Sequence, residues 1–93
     1  MKDILVVAKL KEGKFEKFMG FMQSEEGINE RRKIADLTKT LGTVSPDKNA
    51  VMFKIAVHNK DALHSFLDGS NLVSKAIFDE VIASYEIFEL NKV

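Results

Sequence analysis

Two stretches of this chain, "ILVVAKL" from Ile4 to Leu10 and "AVMFKIAV" from Ala50 to Val57, are apolar on both faces that an extended strand presents. Successive strand side chains point to opposite sides, so Ile4, Val6, Ala8 and Leu10 share one face of the first stretch while Leu5 and Val7 share the other. In the second stretch Val51, Phe53, Ile55 and Val57 stand opposite Met52 and Ala56. Both runs are rich in β-branched residues and too short for buried helices, so both read as strands. A sheet with helices on one side and water on the other alternates more cleanly than this. The pattern asks for a sheet covered on two sides, in a chain of only 93 residues.

The remaining segments supply one cover. In "KFEKFMGFM", Phe15, Phe18, Met19 and Met22 fall at i, i+3, i+4 and i+7, which places them on one face of a helix and leaves Glu16, Lys17 and Gly20 on the other. Ser24 before Glu25 and Glu26 is an N-cap with acids in the first turn, and predicts a second helical piece from Glu25 to about Lys33 with Ile28 facing inward. Further on, "ADLTKTLGTVSPDKNAVMFKIAVHN" carries a turn signal at Ser45 to Asn49 around the single proline, Pro46, and reads as a hairpin. Its first arm, about Asp36 to Val44, is threonine-rich and contains Gly42, the marks of an edge or bent strand, and its second arm runs from Ala50 to His58. Asn59 caps "KDALHSFLD", whose apolar face is Ala62, Leu63, Phe66 and Leu67, and Gly69 supplies a left-handed stop. "NLVSKAIFDE" adds a turn or two of helix, and "VIASYEIFEL" returns as a last strand with Tyr85 and Ile87 on one side and Phe88 and Leu90 on the other.

The order is β-α-β-β-α-β. Right-handed crossovers place both helical segments on one face of a four-stranded antiparallel sheet, an α+β fold of the ferredoxin-like class. No linker, repeat or low-complexity tract interrupts it, so residues 1–93 form a single domain. The face left bare, with Leu5, Val7, Met52, Ala56, Phe88 and Leu90, needs an apolar cover, and a second copy of the same face is the simplest one. Burying about 600 Å² of apolar surface per protomer at roughly 25 cal/mol per Å² is worth on the order of 15 kcal/mol before association costs. A homodimer is the expected state.

Charge and composition exclude several partners. Lys plus Arg is 14 and Asp plus Glu is 14, so no global field draws the chain to phosphate backbones, and nucleic acid is not an expected partner. An RNA-binding domain of this topology would also need stacking aromatics on its first strand, and "ILVVAKL" has none. Zero cysteine rules out disulfides and thiolate chemistry and suits a reducing compartment. No apolar stretch approaches the ~20 residues that span a bilayer. The start "MKDILVVAKLK" is broken by Asp3 and Lys9 and does not read as a signal peptide, so no membrane association and a cytoplasmic location are expected. Gly13, Gly20 and Gly27 are too widely spaced for a glycine-rich phosphate loop, and no serine sits in a GxSxG elbow.

Taken together, "ILVVAKLKEG", the aromatic-rich helix "KFEKFMGFM", the hairpin strand "AVMFKIAVHN", the helix "KDALHSFLDGS" and the closing strand "SYEIFEL" resemble the dimeric α+β barrel superfamily. That group includes antibiotic-biosynthesis-type monooxygenases, stress-responsive barrel proteins and many small bacterial proteins without a known role. The resemblance covers nearly the whole chain and rests on element order and apolar pattern. It implies sheet-to-sheet pairing of two protomers and a pocket between each protomer's helices and its own sheet. Haem-degrading members use an asparagine on the first strand, and a tryptophan and a histidine on the second helix. This chain has no tryptophan and no asparagine in "ILVVAKL", and only His64 lies in a comparable place, which argues against haem; no cofactor is expected.

Few residues remain as candidates for chemistry. His58 and His64 stand six apart across a strand-to-helix junction, not at the i, i+4 spacing that puts two imidazoles on one helical face for zinc, so no metal site is expected. His64 projects outside the apolar arc of its helix, while His58 ends a strand at a place fit for a pocket rim or a dimer seam. Arg31 and Arg32 read first as part of a solvated face balanced by Glu25, Glu26 and Glu30; alternatively they can lay their stems on apolar surface and close a pocket mouth with guanidinium groups suited to a carboxylate or phosphate. Tyr85 can aim a phenol into the helix-facing space. The Phe and Met stripe of the first helix reads as core, and Met22, with Met19 and Phe21, can alternatively line an adaptable apolar cavity.

Two functions of different class fit these residues. One is a homodimeric small-molecule-binding or assembly module without catalysis, with a small or dry cavity between helices and sheet. The alternative is a cofactor-independent monooxygenase- or isomerase-like enzyme on a small apolar or anionic substrate, with a pocket of some hundreds of Å³ on which Tyr85, His58 and an arginine converge.

Overall fold

A computed structural model describes all 93 residues. The elements are β1 (Lys2–Leu10), α1 (Phe15–Met22), α2 (Glu25–Arg32), β2 (Ala35–Val44), β3 (Ala50–Val57), α3 (Lys60–Asp68), α4 (Lys75–Val81) and β4 (Ile82–Glu89). The strands form one antiparallel sheet in the order β2-β3-β1-β4. This is the ferredoxin-like α+β arrangement, with each crossover made of two short helices rather than one. No helix is long and apolar enough to cross a membrane.

The central strands divide their side chains as alternation requires. Ile4, Val6, Ala8 and Leu10 of β1 and Val51 and Val57 of β3 are buried beneath the helices, with Phe53 and Ile55 half-buried beside them. The other face carries Leu5 and Val7, with Leu5 opposite Phe88 of β4 and Val7 opposite Met52 of β3. Tyr85 and Ile87 pair with Ala8 and Val6, on the helix side.

Over that side, α1 contributes buried Phe18 and Met22, α3 contributes Leu63 and Phe66, and α4 contributes Phe78 and Val81. The phenylalanines are the frame of this layer. Phe66 and Phe78 meet edge to face at 4.9 Å between ring centroids, and Phe21 meets Phe78 in the same way at 5.4 Å. Phe21 and Met19 pack against the core among the helices, as the apolar stripe of α1 predicts, and neither borders the two concavities described below.

Local chemistry sets where the helices start and stop. Ser24 Oγ accepts from the Gly27 N–H at 3.1 Å, the N-cap of α2, and donates to the Phe21 carbonyl at 2.6 Å. The chain reverses so sharply here that α2 presses its backbone on the end of α1: a Cβ at Gly27 would lie 1.9 Å from the Phe21 oxygen. Gly27 is therefore the buried residue of α2, and Ile28, expected to face inward, is only half-buried. Asn59 Oδ1 caps α3 by accepting from the Ala62 N–H at 3.0 Å, and Gly69 ends it at φ +91°. The buried Ser74 hydroxyl donates to the Phe66 carbonyl at 2.8 Å and ties α4 to α3.

β2 is the bent edge strand anticipated from its threonines and Gly42. Ala35 and Asp36 pair with Val57 and Ala56, and Leu41 to Val44 pair with Lys54 to Val51, leaving Leu37 to Thr40 bulged opposite a single residue, Ile55. Asp36 Oδ1 closes the bulge by accepting from the Thr38 N–H at 2.9 Å and its hydroxyl at 2.7 Å. Such a bulge twists an edge away from strand-to-strand pairing.

Candidate functional site

Two concavities lie on the helix side of the sheet. The inner one, about 60 Å³, sits between Val6, Ala8, Phe53 and Ile55 below and Phe18, Met22 and Leu63 above. Fourteen of its sixteen lining residues are hydrophobic, the exceptions being Arg31 and Thr40, so its walls offer a water molecule few hydrogen-bond partners. Phe53 reaches this space by lying across β2 at Gly42, where a Cβ would come within 3.0 Å of its ring. Leu37 and Thr40 reach the wall from the β2 bulge.

Arg31 is half-buried beside the cavity. Its Nη1 donates to the Met22 carbonyl at 2.9 Å, which fastens α2 to the last turn of α1. Burial lowers its pKa from the ordinary arginine value, yet a guanidinium stays charged at neutral pH. The wall it offers the cavity is its aliphatic stem.

The outer concavity, about 270 Å³, opens beside β4. Its rim is Lys75 and Asp79 of α4, Gly69 at the end of α3, and Ser84 and Tyr85 of β4. Lys75 Nζ and Asp79 Oδ2 are 3.0 Å apart. The floor is Phe66, Leu67, Phe78 and Ile82, which also border the inner cavity.

The residues singled out in the sequence are therefore divided. Met22 and Arg31 share the inner cavity, and Tyr85 lines the outer groove. His58, His64 and Arg32 are exposed and touch neither. His58 Nε2 lies 3.0 Å from the Arg32 carbonyl, so a proton on that nitrogen caps the end of α2. His64 stands near Asp68 and Glu89 and contributes to keeping both carboxyls below their usual range, behind the hydrogen bonds from Ser70 and Lys60 respectively. No three His, Cys, Asp or Glu side chains converge to hold a metal ion. Lys75, Asp79 and Ser84 were not singled out in the sequence; the i, i+4 spacing of Lys75 and Asp79 is legible there, but their approach to β4 is not.

The interface candidates, by contrast, share one surface. Leu5, Val7, Met52 and Phe88 are neighbours in the register of β3, β1 and β4. Met52 and Phe88 are 43% and 44% exposed. Ala56, opposite Asp3, is already buried within the protomer, and Leu90 extends the patch just beyond β4, its N–H donating to the Asp3 carbonyl at 2.9 Å. Interspersed on this face are Lys9, Lys54, Asp3 and Glu86, none of which is ion-paired within the chain.

No protein-family model matches the chain, and no curated protein matches it in sequence. Solved structures do. An uncharacterized NIPSNAP domain protein from Burkholderia xenovorans superposes with a TM-score of 0.63 at 17% identity, covering 100% of this chain and 95% of its own. A protein from Agrobacterium tumefaciens superposes with a TM-score of 0.67 at 13% identity over 100% and 94%. A protein from Nitrosomonas europaea described as a candidate antibiotic biosynthesis monooxygenase gives a TM-score of 0.63 at 12% identity over 98% and 88%. At these identities the likeness is one of fold: this chain has the α+β fold that the antibiotic-biosynthesis-monooxygenase-like and NIPSNAP domain proteins share.

Proposed function

We propose that the chain is a homodimeric module that binds a small molecule or a partner without catalysing a reaction. The observation that carries this reading is the open sheet face. An apolar centre of Leu5, Val7, Met52 and Phe88 is interspersed with charges of both signs that find no partner in their own protomer. A second copy brought face to face would bury the centre and set Lys9 and Lys54 of one protomer against Asp3 and Glu86 of the other. That is the self-complementarity a two-fold interface requires. The helix side supports the non-catalytic half of the reading: Arg31 borders the inner cavity, Tyr85 the outer one and His58 neither, so the three do not meet.

Sedimentation equilibrium tests the reading. The protein at micromolar concentration is expected at twice the 10.5 kDa of one chain. Val7→Glu combined with Met52→Glu is expected to give monomers that keep the far-ultraviolet circular dichroism of the parent. A parent protein that sediments as single chains would overturn it. The enzymatic alternative, a cofactor-independent monooxygenase or isomerase, is supported by the fold shared with the Nitrosomonas europaea protein. Oxygen uptake by the purified protein in the presence of small phenols would establish an oxygenase.

A further inference from the structure

The inner cavity and the outer groove share part of their lining. Phe66, Leu67, Phe78 and Ile82 border both spaces. The two phenylalanines are fixed by their edge-to-face contact. Leu67 and Ile82 are only half-buried, and aliphatic side chains of that kind exchange rotamers readily.

The two spaces differ in chemistry. Inside, all but Arg31 and Thr40 of the lining residues are hydrophobic, in a volume too small for a whole ligand but sufficient for the end of an alkyl chain. Outside, Lys75 Nζ and Asp79 Oδ2 present a donor and an acceptor with no net charge, and the Tyr85 hydroxyl, on the helix side of the sheet, can act as either. The bulge at Ala83, where Ser84 pairs with Lys9 but Ile82 with Leu10, brings this start of β4 out to the groove.

We infer that the two spaces are the head and tail chambers of one site for a small neutral amphiphile, an unbranched alkyl chain that ends in a hydroxyl or primary amide. The head hydrogen-bonds to Lys75, Asp79 and Tyr85 at the rim, and the chain passes Leu67 into the inner cavity. The Lys75–Asp79 pair has no net charge to compensate an ionised head for the hydration it gives up on entering the groove. This inference rests on the binding-module reading, though not on the dimer.

A nitrogen–proton correlation NMR titration of the full chain with ethanol, 1-butanol, 1-hexanol, hexanoate and hexylammonium tests it. Shifts are expected at Leu67, Phe78 and Ile82 to Tyr85, with affinity rising about fourfold for each methylene added. Hexanoate and hexylammonium are expected to bind about threefold more weakly than 1-hexanol, a small factor because the Lys75–Asp79 pair is exposed. Tyr85→Phe should weaken 1-hexanol about fivefold. Leu67→Trp should abolish the chain-length dependence, and if that variant does not fold, the exposed Tyr85→Phe carries the test. An affinity that does not depend on chain length, a charged homologue that binds more tightly, or shifts confined to the open sheet face would each overturn the inference. The monomeric sheet-face variant should bind 1-hexanol as the parent does, so failure of the dimer and failure of this site are separable.

Discussion

Neighbouring residues on β1 meet opposite fates: Ile4 is fully buried under the helices, while Leu5, one residue on, is left half-exposed on the bare side of the sheet. The same holds for a single side-chain type, since Phe18 is 2% exposed and Phe88 44%. The two faces are similarly apolar at the centre but differ at the edges. Around the buried core the charged groups lie at its margin, as Arg31 does, whereas the bare face has Lys9, Lys54, Asp3 and Glu86 set among its apolar residues. A mixed surface with an apolar centre has the anatomy of an interface rather than that of an interior.

That contrast can be broken most directly with phenylalanine itself. Phe18→Ala should cost about 3–5 kcal/mol in urea unfolding, the range for a buried aromatic truncated to a cavity. Phe88→Ala should leave the protomer's own stability within about 1 kcal/mol and act on association instead, read as a larger dimer dissociation constant in sedimentation. Equal costs at the two positions would show that both faces are interior, and the comparison would collapse.

A smaller effect tests how the helices cover their side. Gly27→Ala should lower stability by about 2–3 kcal/mol, because the new Cβ meets the Phe21 carbonyl, a backbone group that cannot swing away. Gly20→Ala on the exposed face of α1 meets nothing within 4 Å and should stabilise by about 0.5–1 kcal/mol. Thermal melts of the pair would show opposite signs. Next in size, Ser24→Ala removes the cap of α2 and should cost about 1 kcal/mol in the same melts.

The smallest effect is in pH. Hydrogen bonds from Lys33 and then Asn71 hold the Glu30 carboxyl below its ordinary pKa of 4.5, against a smaller opposing effect of burial. The folded protein therefore binds a proton there less readily than the unfolded chain. Its contribution is present above pH 4.5 and fades as the pH falls through the lowered value. Glu30→Gln should flatten the acid side of the stability curve by less than about 1 kcal/mol, and chemical denaturation at pH 6 and pH 3 would measure it.

The sequence was most informative wherever a side chain's fate depends on its position in a local repeat. The alternation in β1, β3 and β4 assigned Leu5, Val7, Met52 and Phe88 to one face, and the register agrees. The caps Ser24 and Asn59 and the stop at Gly69 act within a few residues of themselves, and each is where its local chemistry predicts. It was least informative about convergence. Arg31 and Arg32 are adjacent in the chain, but about 100° of rotation and the tilt of α2 put one beside the cavity and leave the other in solvent. Ile28 was expected inward from its hydropathy, yet the tight α1–α2 turn gives that place to Gly27.

For this protein the order of elements, their apolar faces and their ends were set by residue spacing alone, since periods of two and 3.6 residues and capping groups operate over a few ångströms of chain. The tertiary structure alone decided the depth of the cavity, the bulge that bends β2, and the sharing of one groove by Lys75, Asp79 and Tyr85. Those depend on how far one element slides against another, a distance settled by the packing of the whole phenylalanine layer and by no short run of sequence.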